Sequence, residues 1–175
     1  MKTEILQILR NTDGYVSGQQ LCDTLGVSRT AVWKVINQLK EEGYEIEAVR
    51  NRGYRIVEAA DVLNASELKS RLHTKHIGSE IYYQSEIDST NSWLKRLAEE
   101  GAPDGSVTIA DMQSRGKGRR GRVWVTPFGT SIPFSILLRP DIRPERASML
   151  TLVMGLCVAE AMEQLYGMEV GIKWP

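Results

Sequence analysis

Apolar residues recur with helical spacing in three short segments at the start of the chain. The segments cover about residues 3–11, 17–25 and 28–42, and each begins near a capping residue and ends near Asn or Gly. Between the second and third segments, Gly26 lies where a tight interhelical turn needs a positive φ. This spacing predicts a helix-turn-helix.

Two alternating stretches follow the third segment and predict a hairpin. They cover residues 44–49 and 54–57 and flank the turn Arg50-Asn51-Arg52-Gly53. Three helices and a basic hairpin make a winged helix. The third helix turns its apolar residues inward, and its polar residues suit contacts in a DNA major groove. With the hairpin cations, the candidate DNA-binding residues are Ser28, Arg29, Thr30, Lys34, Asn37, Arg50 and Arg52.

The charge of this region limits its affinity for DNA. Residues 1–60 hold eight Lys or Arg and eight Asp or Glu, so non-specific DNA binding should be weak and salt-dependent. Specific binding would then need two copies on a dyad site, which predicts a homodimer. A winged helix that binds protein is the alternative interpretation.

After residue 60 the pattern changes to alternating strands and helices, which indicates an α/β region. We expect a DNA-binding domain at 1–60, a linker at 61–66 and a second domain at 67–175, with a capped helix beginning near Ser66. Pro133 removes a backbone donor and predicts a sheet edge or a break. The predicted strands are 81–84, 107–110, 123–125, 131–138 and 170–174, and the predicted helices are 92–100 and 144–166.

Composition narrows the class of protein further. The 175 residues hold 22 cationic and 22 acidic side chains, and the longest charge-free stretch, 147–159, is short for a membrane span of about 20 residues. The first residues carry no apolar secretory core, so we expect a cytoplasmic protein that does not enter membranes. Cys22 and Cys157 lie in apolar helical patterns, which predicts buried, reduced thiols and no metal site.

A basic, glycine-rich segment is difficult to explain by packing. Residues 115–122 contain five cations and three glycines with no apolar anchor, which predicts a loop that is mobile until a ligand orders it. It lacks the spacing of a Walker loop. Its alternating glycines favour a small anionic ligand held by backbone N–H groups and cations. A nucleic-acid contact and a solvated turn remain alternatives.

Five motifs occur in an order that resembles the family of bifunctional biotin protein ligases and biotin operon repressors. They are Asp88-Ser89-Thr90-Asn91, Gln113 with the segment Gly116 to Arg122, Trp124 with Pro127-Phe128-Gly129, Leu138-Arg139-Pro140, and Lys173-Trp174-Pro175. The resemblance implies an α+β chain: a winged helix-turn-helix domain, then the first part of a mixed α/β catalytic domain like that of class II synthetases.

The resemblance also implies an activity. Proteins of this kind form biotinyl-5′-AMP from biotin and ATP with Mg²⁺, and pass biotin to a lysine of the biotin carboxyl carrier domain of acetyl-CoA carboxylase. They also dimerise on operator DNA and repress biotin genes. Lys173 and Arg119 would be catalytic. The implied biotin- and adenylate-binding residues are Ser89, Thr90, Asn91, Gln113, Gly116, Lys117, Gly118, Arg119, Arg120, Trp124 and Lys173.

Two departures from the family weaken the expectation of ligase activity. Lys117 replaces the usual Arg, which keeps the charge and loses the bidentate fork. The sequence also stops where the family continues into further strands and a C-terminal β-barrel, so we expect weak or absent ligation. Two other functions remain: a ligand-sensing winged-helix regulator without ligase chemistry, and a ligase for lipoate or octanoate.

Overall fold

The computed structural model describes residues 1–58 and 61–172, and only the backbone of Glu58 and Arg119. Six α-helices and six strands follow one another in this part of the chain. The helices are α1 (Lys2–Asn11), α2 (Gly18–Leu25), α3 (Arg29–Glu41), α4 (Ala65–Arg71), α5 (Thr90–Glu99) and α6 (Met149–Tyr166). The strands are β1 (Glu45–Val49), β2 (Gly53–Glu58), β3 (Ile81–Ile87), β4 (Val107–Lys117), β5 (Val123–Thr126) and β6 (Phe134–Ile136).

The predicted helix-turn-helix is confirmed, and local chemistry explains its boundaries. The Ser17 hydroxyl accepts the Gln20 N–H at 3.0 Å, and the Ser28 hydroxyl accepts the Ala31 N–H at 3.2 Å, which caps α2 and α3. Gly26 ends α2 in the left-handed region, at φ 65°. The turn between the two helices therefore depends on two serine caps and one glycine.

The predicted wing is also present, as an antiparallel pair of β1 and β2. At its turn Asn51 has a φ of 65° and Gly53 a φ of 116°. A side chain at Gly53 would collide with the Val16 carbonyl, because Val16 forms a bridge with Tyr54 at the base of the wing. Gly53 thus allows the wing to lie against the segment that precedes α2.

One apolar cluster joins the three helices to the wing. Burying each large side chain of this kind contributes roughly 1.5–3 kcal/mol, so the cluster holds the N-terminal helices and hairpin together. Its buried members are Ile5, Leu6, Leu9, Val16, Leu21, Cys22, Val32, Val35, Ile36, Leu39, Tyr44 and Ile46.

Helix α4 is fixed to this N-terminal cluster by a buried carboxylate. Glu67 is 5% exposed and accepts two hydrogen bonds from Arg10, both at 2.6 Å. The Tyr44 hydroxyl donates to the same carboxylate at 2.6 Å, and the Arg71 Nε–H donates to it at 2.6 Å as well. Burial acts to raise the pKa of Glu67, but these donors outweigh burial and lower it. The Asn64 side chain caps α4 by accepting the Glu67 N–H at 2.8 Å.

A second, four-stranded sheet is built around β4. Strand β3 pairs with it in parallel, and β5 and β6 pair with it in antiparallel fashion. Helix α5 makes the connection between β3 and β4, as parallel strands require. Strand β6 pairs with the first half of β4 and β5 with the second half.

Three predicted elements differ from the structure. The predicted strand 131–138 is reduced to β6, because Pro133 offers Ala110 only its carbonyl, at 3.1 Å. The predicted helix 144–166 is interrupted: Pro144–Arg146 forms a 3₁₀ turn, and α6 begins at Met149. The strand predicted at 170–174 was wrong for residues 170–172, which have no regular structure. Residues 173 and 174 lie outside the described part.

Contacts divide the chain into a unit of residues 1–138 and a second unit that begins at Arg139 and contains α6.

Cys22 and Cys157 are both free thiols. Cys22 is buried, but Cys157 is exposed, so the prediction of burial was wrong for Cys157. The apolar face of α6 that suggested burial is largely open to solvent.

By length and composition, Pro144–Tyr166 passes the test for a membrane-spanning helix, with a mean hydropathy of 1.3. It is the one such helix in the part of the chain that the structure describes.

Replacing the buried carboxylate should loosen the attachment of α4. We expect Glu67→Gln to lower the free energy of unfolding by about 3 kcal/mol, since it leaves Arg10 without its buried partner. Urea denaturation at neutral pH measures this. Glu80→Gln is the control, because the exposed Lys69–Glu80 pair should contribute less than about 1 kcal/mol. Equal midpoints for the wild type and Glu67→Gln would refute the assignment.

The same contribution should depend on pH. The pKa of Glu67 is lowered from its ordinary value of 4.5 in the folded state, so its stabilisation is fully present above that pH. The stabilisation is lost as the pH falls through the lowered pKa. The difference in stability between wild type and Glu67→Gln should therefore shrink below pH 4.5. A stability difference that stays constant down to about pH 2 would contradict the proposed role of the ionised Glu67.

Candidate functional site

The parallel pairing of β3 and β4 brings two of the sequence motifs to one edge of the sheet. Ile87, the last residue of β3, lies opposite Gln113 of β4. The turn at 88–89 leads from β3 into α5, so the start of α5 also lies at this edge. The motif at 88–91 and Gln113 are therefore neighbours, although more than 20 residues separate them.

Thr90 and Gln113 make a direct contact whose chemistry fixes the amide orientation. Gln113 Oε1 lies 2.8 Å from the Thr90 backbone nitrogen and 3.1 Å from its hydroxyl. A backbone N–H can only donate, so the Gln113 atom facing it is the oxygen. The Gln113 amide therefore presents its two Nε2 hydrogens away from Thr90, as donors for another acceptor.

The Thr90 hydroxyl extends the contact with Gln113 to Ser135, and the direction of each hydrogen bond follows from the groups involved. Because Gln113 Oε1 only accepts, the Thr90 hydroxyl donates to it and must accept from Ser135, 3.0 Å away. Thr108 donates to the Thr90 carbonyl at 3.0 Å, and Thr126 accepts the Gln113 N–H at 2.9 Å. The sequence analysis missed Ser135, Thr108 and Thr126. Alternation along β4 could have indicated Thr108, but only the strand pairing identifies the other two.

Asp88 links the start of α5 to the basic segment. Arg96 donates to both Asp88 carboxylate oxygens at 3.0 Å, and the Asp88 carbonyl accepts the Arg115 N–H at 2.8 Å. The Arg96 guanidinium lowers the pKa of Asp88 to about 2, with smaller help from the Ser89 N–H and the Lys117 charge. The Asp88 carboxylate thus binds Arg96 of α5, while its backbone carbonyl holds the first residue of the basic segment.

The basic segment is more ordered than its composition suggested. Strand β4 extends to Lys117, Gly116 pairs with Trp124, and the Gly118 N–H donates to Arg122 at 2.8 Å. The prediction of a loop without an anchor was therefore wrong for residues 115–118, because backbone pairing supplies what apolar packing does not. Arg120 lies in the left-handed region at φ 58°, a strained conformation for a residue with a side chain.

Gly116 is required by this pairing. A Cβ at Gly116 would collide with the Trp124 carbonyl and would lie 3.1 Å from Gln113 Nε2.

A cleft of about 500 Å³ is lined by the basic segment and its neighbours. Its lining residues are Ser114, Arg115, Gly116, Lys117, Gly118, Gly121, Arg122 and Val123.

The remaining implied ligand-binding residues fall into three groups. Ser89 is buried, at 2% exposure, as the residue that precedes α5. Asn91, Arg120 and Trp124 are exposed to solvent. The two implied catalytic residues cannot be placed, because Lys173 and the side chain of Arg119 lie outside the described residues.

The predicted DNA-binding face is presented by α3 and the wing. Arg29 is fixed by a neighbour, since its Nε and Nη2 donate to Gln19 Oε1 at 3.3 and 2.8 Å. Gln19 in turn donates to Asp23 at 2.7 Å. Arg52 and Arg55 lie over the ring of Tyr15, 4.5 and 5.1 Å from its centroid.

Ion pairing distinguishes the cations predicted to face DNA from most other cations of this region. Lys2, Arg10 and Arg55 each pair with a carboxylate. The four cations predicted to face DNA take part in no ion pair formed by described residues: Arg29, Lys34, Arg50 and Arg52. A cleft of about 450 Å³ between the helices and the wing is lined by Arg29, Arg50 and Arg52 among others.

Comparison with known sequences identifies a family for the N-terminal part of the chain and another for the part that follows. An HTH domain profile matches residues 2–55, and the profile of the biotin/lipoate A/B protein ligase family matches residues 83–175. The chain belongs to the biotin/lipoate A/B protein ligase family. The fold class predicted from the sequence, a helix-turn-helix domain followed by a ligase-like α/β region, is confirmed.

Curated relatives are similar along nearly the whole chain. The "Bifunctional ligase/repressor BirA" of Bacillus spizizenii is 43% identical over 92% of this chain and 50% of its own length. The protein of the same name from Escherichia coli is 36% identical over 98% of this chain and 52% of its own. The chain thus spans about half the length of these curated relatives.

A solved structure, "Biotin protein ligase from Aquifex aeolicus in complex with biotin and ATP", is 37% identical. It covers 55% of this chain and 40% of its own, with a TM-score of 0.48.

Substituting Gly116 should open the ordered part of the basic segment. We expect Gly116→Ala to cost about 2 kcal/mol of local stability, because its Cβ must displace the Trp124 carbonyl, and to speed tryptic cleavage within 115–122 roughly 30-fold. Ser114→Ala is the control, since Ser114 is exposed and loses only a 3.3 Å hydrogen bond. Equal cleavage of all three proteins would show that the β4–β5 pairing does not protect the segment.

Proposed function

We propose that this chain is part of a biotin–[biotin carboxyl carrier protein] ligase that also represses transcription of biotin genes. The ligase would form biotinyl-5′-AMP from biotin and ATP and transfer biotin to a lysine of the carrier domain of acetyl-CoA carboxylase. Residues 1–60 would bind operator DNA, residues 61–66 would be the linker, and residues 67–175 would belong to the ligase domain. Family membership and the two-part relatives support this proposal.

One observation carries the ligase proposal: the oriented network of Ser135, Thr90 and Gln113 beside the basic hairpin. The network leaves the Gln113 Nε2 donors available, and they suit the ureido oxygen of biotin. The hairpin adds cations and backbone N–H groups a few residues further along the same strand. One end of a ligand could thus meet a neutral donor while the other end meets positive charge.

The individual residues would have the following roles. Attack of the biotin carboxylate on the α-phosphate of ATP displaces pyrophosphate and builds negative charge, which Lys117, Arg119 and Lys173 would stabilise. Ser89, Asn91, Gly116, Gly118, Arg120 and Trp124 would complete the binding site for biotin and the adenylate. Mg²⁺ would accompany the ATP phosphates, and we assign no step to it. The described residues form no group of three His, Cys, Asp or Glu side chains that could hold a metal.

The DNA-binding part of the proposal rests on the cations without carboxylate partners on α3 and the wing. Arg29, Lys34, Arg50 and Arg52 keep their full charge for phosphate or base contacts, with Ser28, Thr30 and Asn37 beside them. We propose that two liganded chains form a homodimer on a dyad operator in the cytoplasm. Such binding should weaken steeply as salt rises.

A regulator that senses a small ligand without ligase chemistry is the second candidate. The described site groups are hydrogen-bond donors and cations, which favours retention of a ligand over any particular reaction. Release of pyrophosphate from ATP that depends on biotin supports the ligase. Biotin binding with no such release supports the sensor. Stronger binding of lipoate than of biotin would overturn both in favour of a lipoate ligase.

Disturbing the oriented network should weaken biotin binding. We expect Thr90→Val to reduce biotin affinity about tenfold, because Gln113 loses one of the two bonds that orient it and Ser135 loses its acceptor. Titration calorimetry measures the affinity, and thermal unfolding confirms the fold of the variant. Thr24→Val, an exposed threonine of α2, is the matched control and should bind as the wild type does. Unchanged affinity in Thr90→Val, or no biotin binding by the wild type, would overturn the proposed site.

A further inference from the structure

Trp33 lies on the outward face of α3 and is not a member of the apolar core cluster. Its side chain is 59% exposed, although tryptophan is a highly buried residue on average. The ring–ring and cation–π contacts among the described residues do not include it. The sequence analysis placed no function on it. An exposed indole of this kind requires an explanation outside the packed core.

Helical geometry places Trp33 in the middle of the candidate DNA-binding face. Residues four apart lie one above another on a helix, so Arg29, Trp33 and Asn37 form one row. Thr30 and Lys34 form the adjacent row. The opposite side of α3 is buried in the core. A ligand that touches both Arg29 and Lys34 must therefore lie against the indole.

We infer that Trp33 is a specificity-determining residue that contacts thymine methyl groups in the DNA major groove. This inference rests on the proposed DNA-binding function. The floor of the major groove presents hydrogen-bonding edges and one apolar group, the C5-methyl of thymine. A large apolar ring held between two cations gains most where it meets that methyl group, because other bases offer it only polar edges.

The neighbouring arginine is held so that both residues can read one site. Gln19 occupies the Nε and Nη2 edge of Arg29, which leaves the Nη1 and Nη2 edge for a bidentate contact with guanine or phosphate. Arg29 and Trp33 are one helical turn apart, so their contacts should fall on the same base pair or on adjacent ones. Gln19 is thus a positioning residue for this face.

The experiment uses the 175-residue chain and DNA selected by it. Duplexes are enriched from a random-sequence pool at low salt, and uracil then replaces thymine one position at a time in the selected duplex, which removes single methyl groups. Affinity of the wild type should fall about fourfold at one thymine or two, the effect of one buried methyl group. Trp33→Ala should bind the original duplex about tenfold more weakly and should bind thymine and uracil versions equally.

The controls separate this inference from the function on which it rests. Gln84→Ala changes an exposed, neutral residue of β3, outside α3 and the wing, and should keep the thymine preference. The salt dependence of binding should be the same in Trp33→Ala as in the wild type, since no charge is lost. If the wild type enriches no sequence, the proposed DNA binding fails. If it enriches a sequence and Trp33→Ala shows the same thymine preference, only the role of Trp33 is overturned, and an interaction of Trp33 with protein then becomes the better explanation.

Discussion

The parallel pairing of β3 and β4 determines where the candidate ligand site can form. Two parallel strands need a crossover between them, and α5 makes it, so the start of α5 lies at the carboxyl end of β3. Gln113 lies at the same edge because it pairs with Ile87. The hydrogen bonds between Thr90 and Gln113, the bond from the Arg115 N–H to the Asp88 carbonyl and the start of the basic hairpin all depend on this register. A shift of one residue would turn Gln113 to the other face of the sheet.

A second constraint joins the N-terminal helices to α4, and it is electrostatic. Glu67 is the one buried carboxylate in the described part of the chain, and such a charge is tolerated only with full compensation. Arg10 comes from α1, Tyr44 from the segment before β1, and Arg71 from α4 itself. Because these donors come from three places, α4 can satisfy its carboxylate in one arrangement only. The start of the proposed ligase domain is thus held against the N-terminal helices by a polar contact whose disruption leaves a buried charge without its partner.

Local signals in the sequence predicted the N-terminal half well. Apolar periodicity, the serine caps and Gly26 are each short-range, and so the three helices and the wing were found with boundaries close to those observed. The polar network around Thr90 was found only in part, because Ser135 and Thr126 join it through strand pairing across long sequence separations. The basic segment was misjudged for the same reason: its anchor is the β5 backbone, which has no signature in its own composition. Glycine spacing indicated close approach of a ligand, but at Gly116 it also reports the close approach of Trp124.

The distribution of partners among the arginines shows how a chain of zero net charge can still present a positive surface. Arg10, Arg55, Arg71 and Arg96 each face a carboxylate, and their charge is used within the fold. Arg29 and Arg52 form no ion pair among the described residues: the Gln19 amide accepts from Arg29, and Arg52 lies over the Tyr15 ring with a weaker attraction to Glu47. A neutral partner fixes the position of a guanidinium without cancelling its charge. The surface of α3 and the wing therefore combines positioned guanidinium groups with cations that form no ion pair, and phosphate and base contacts use both properties.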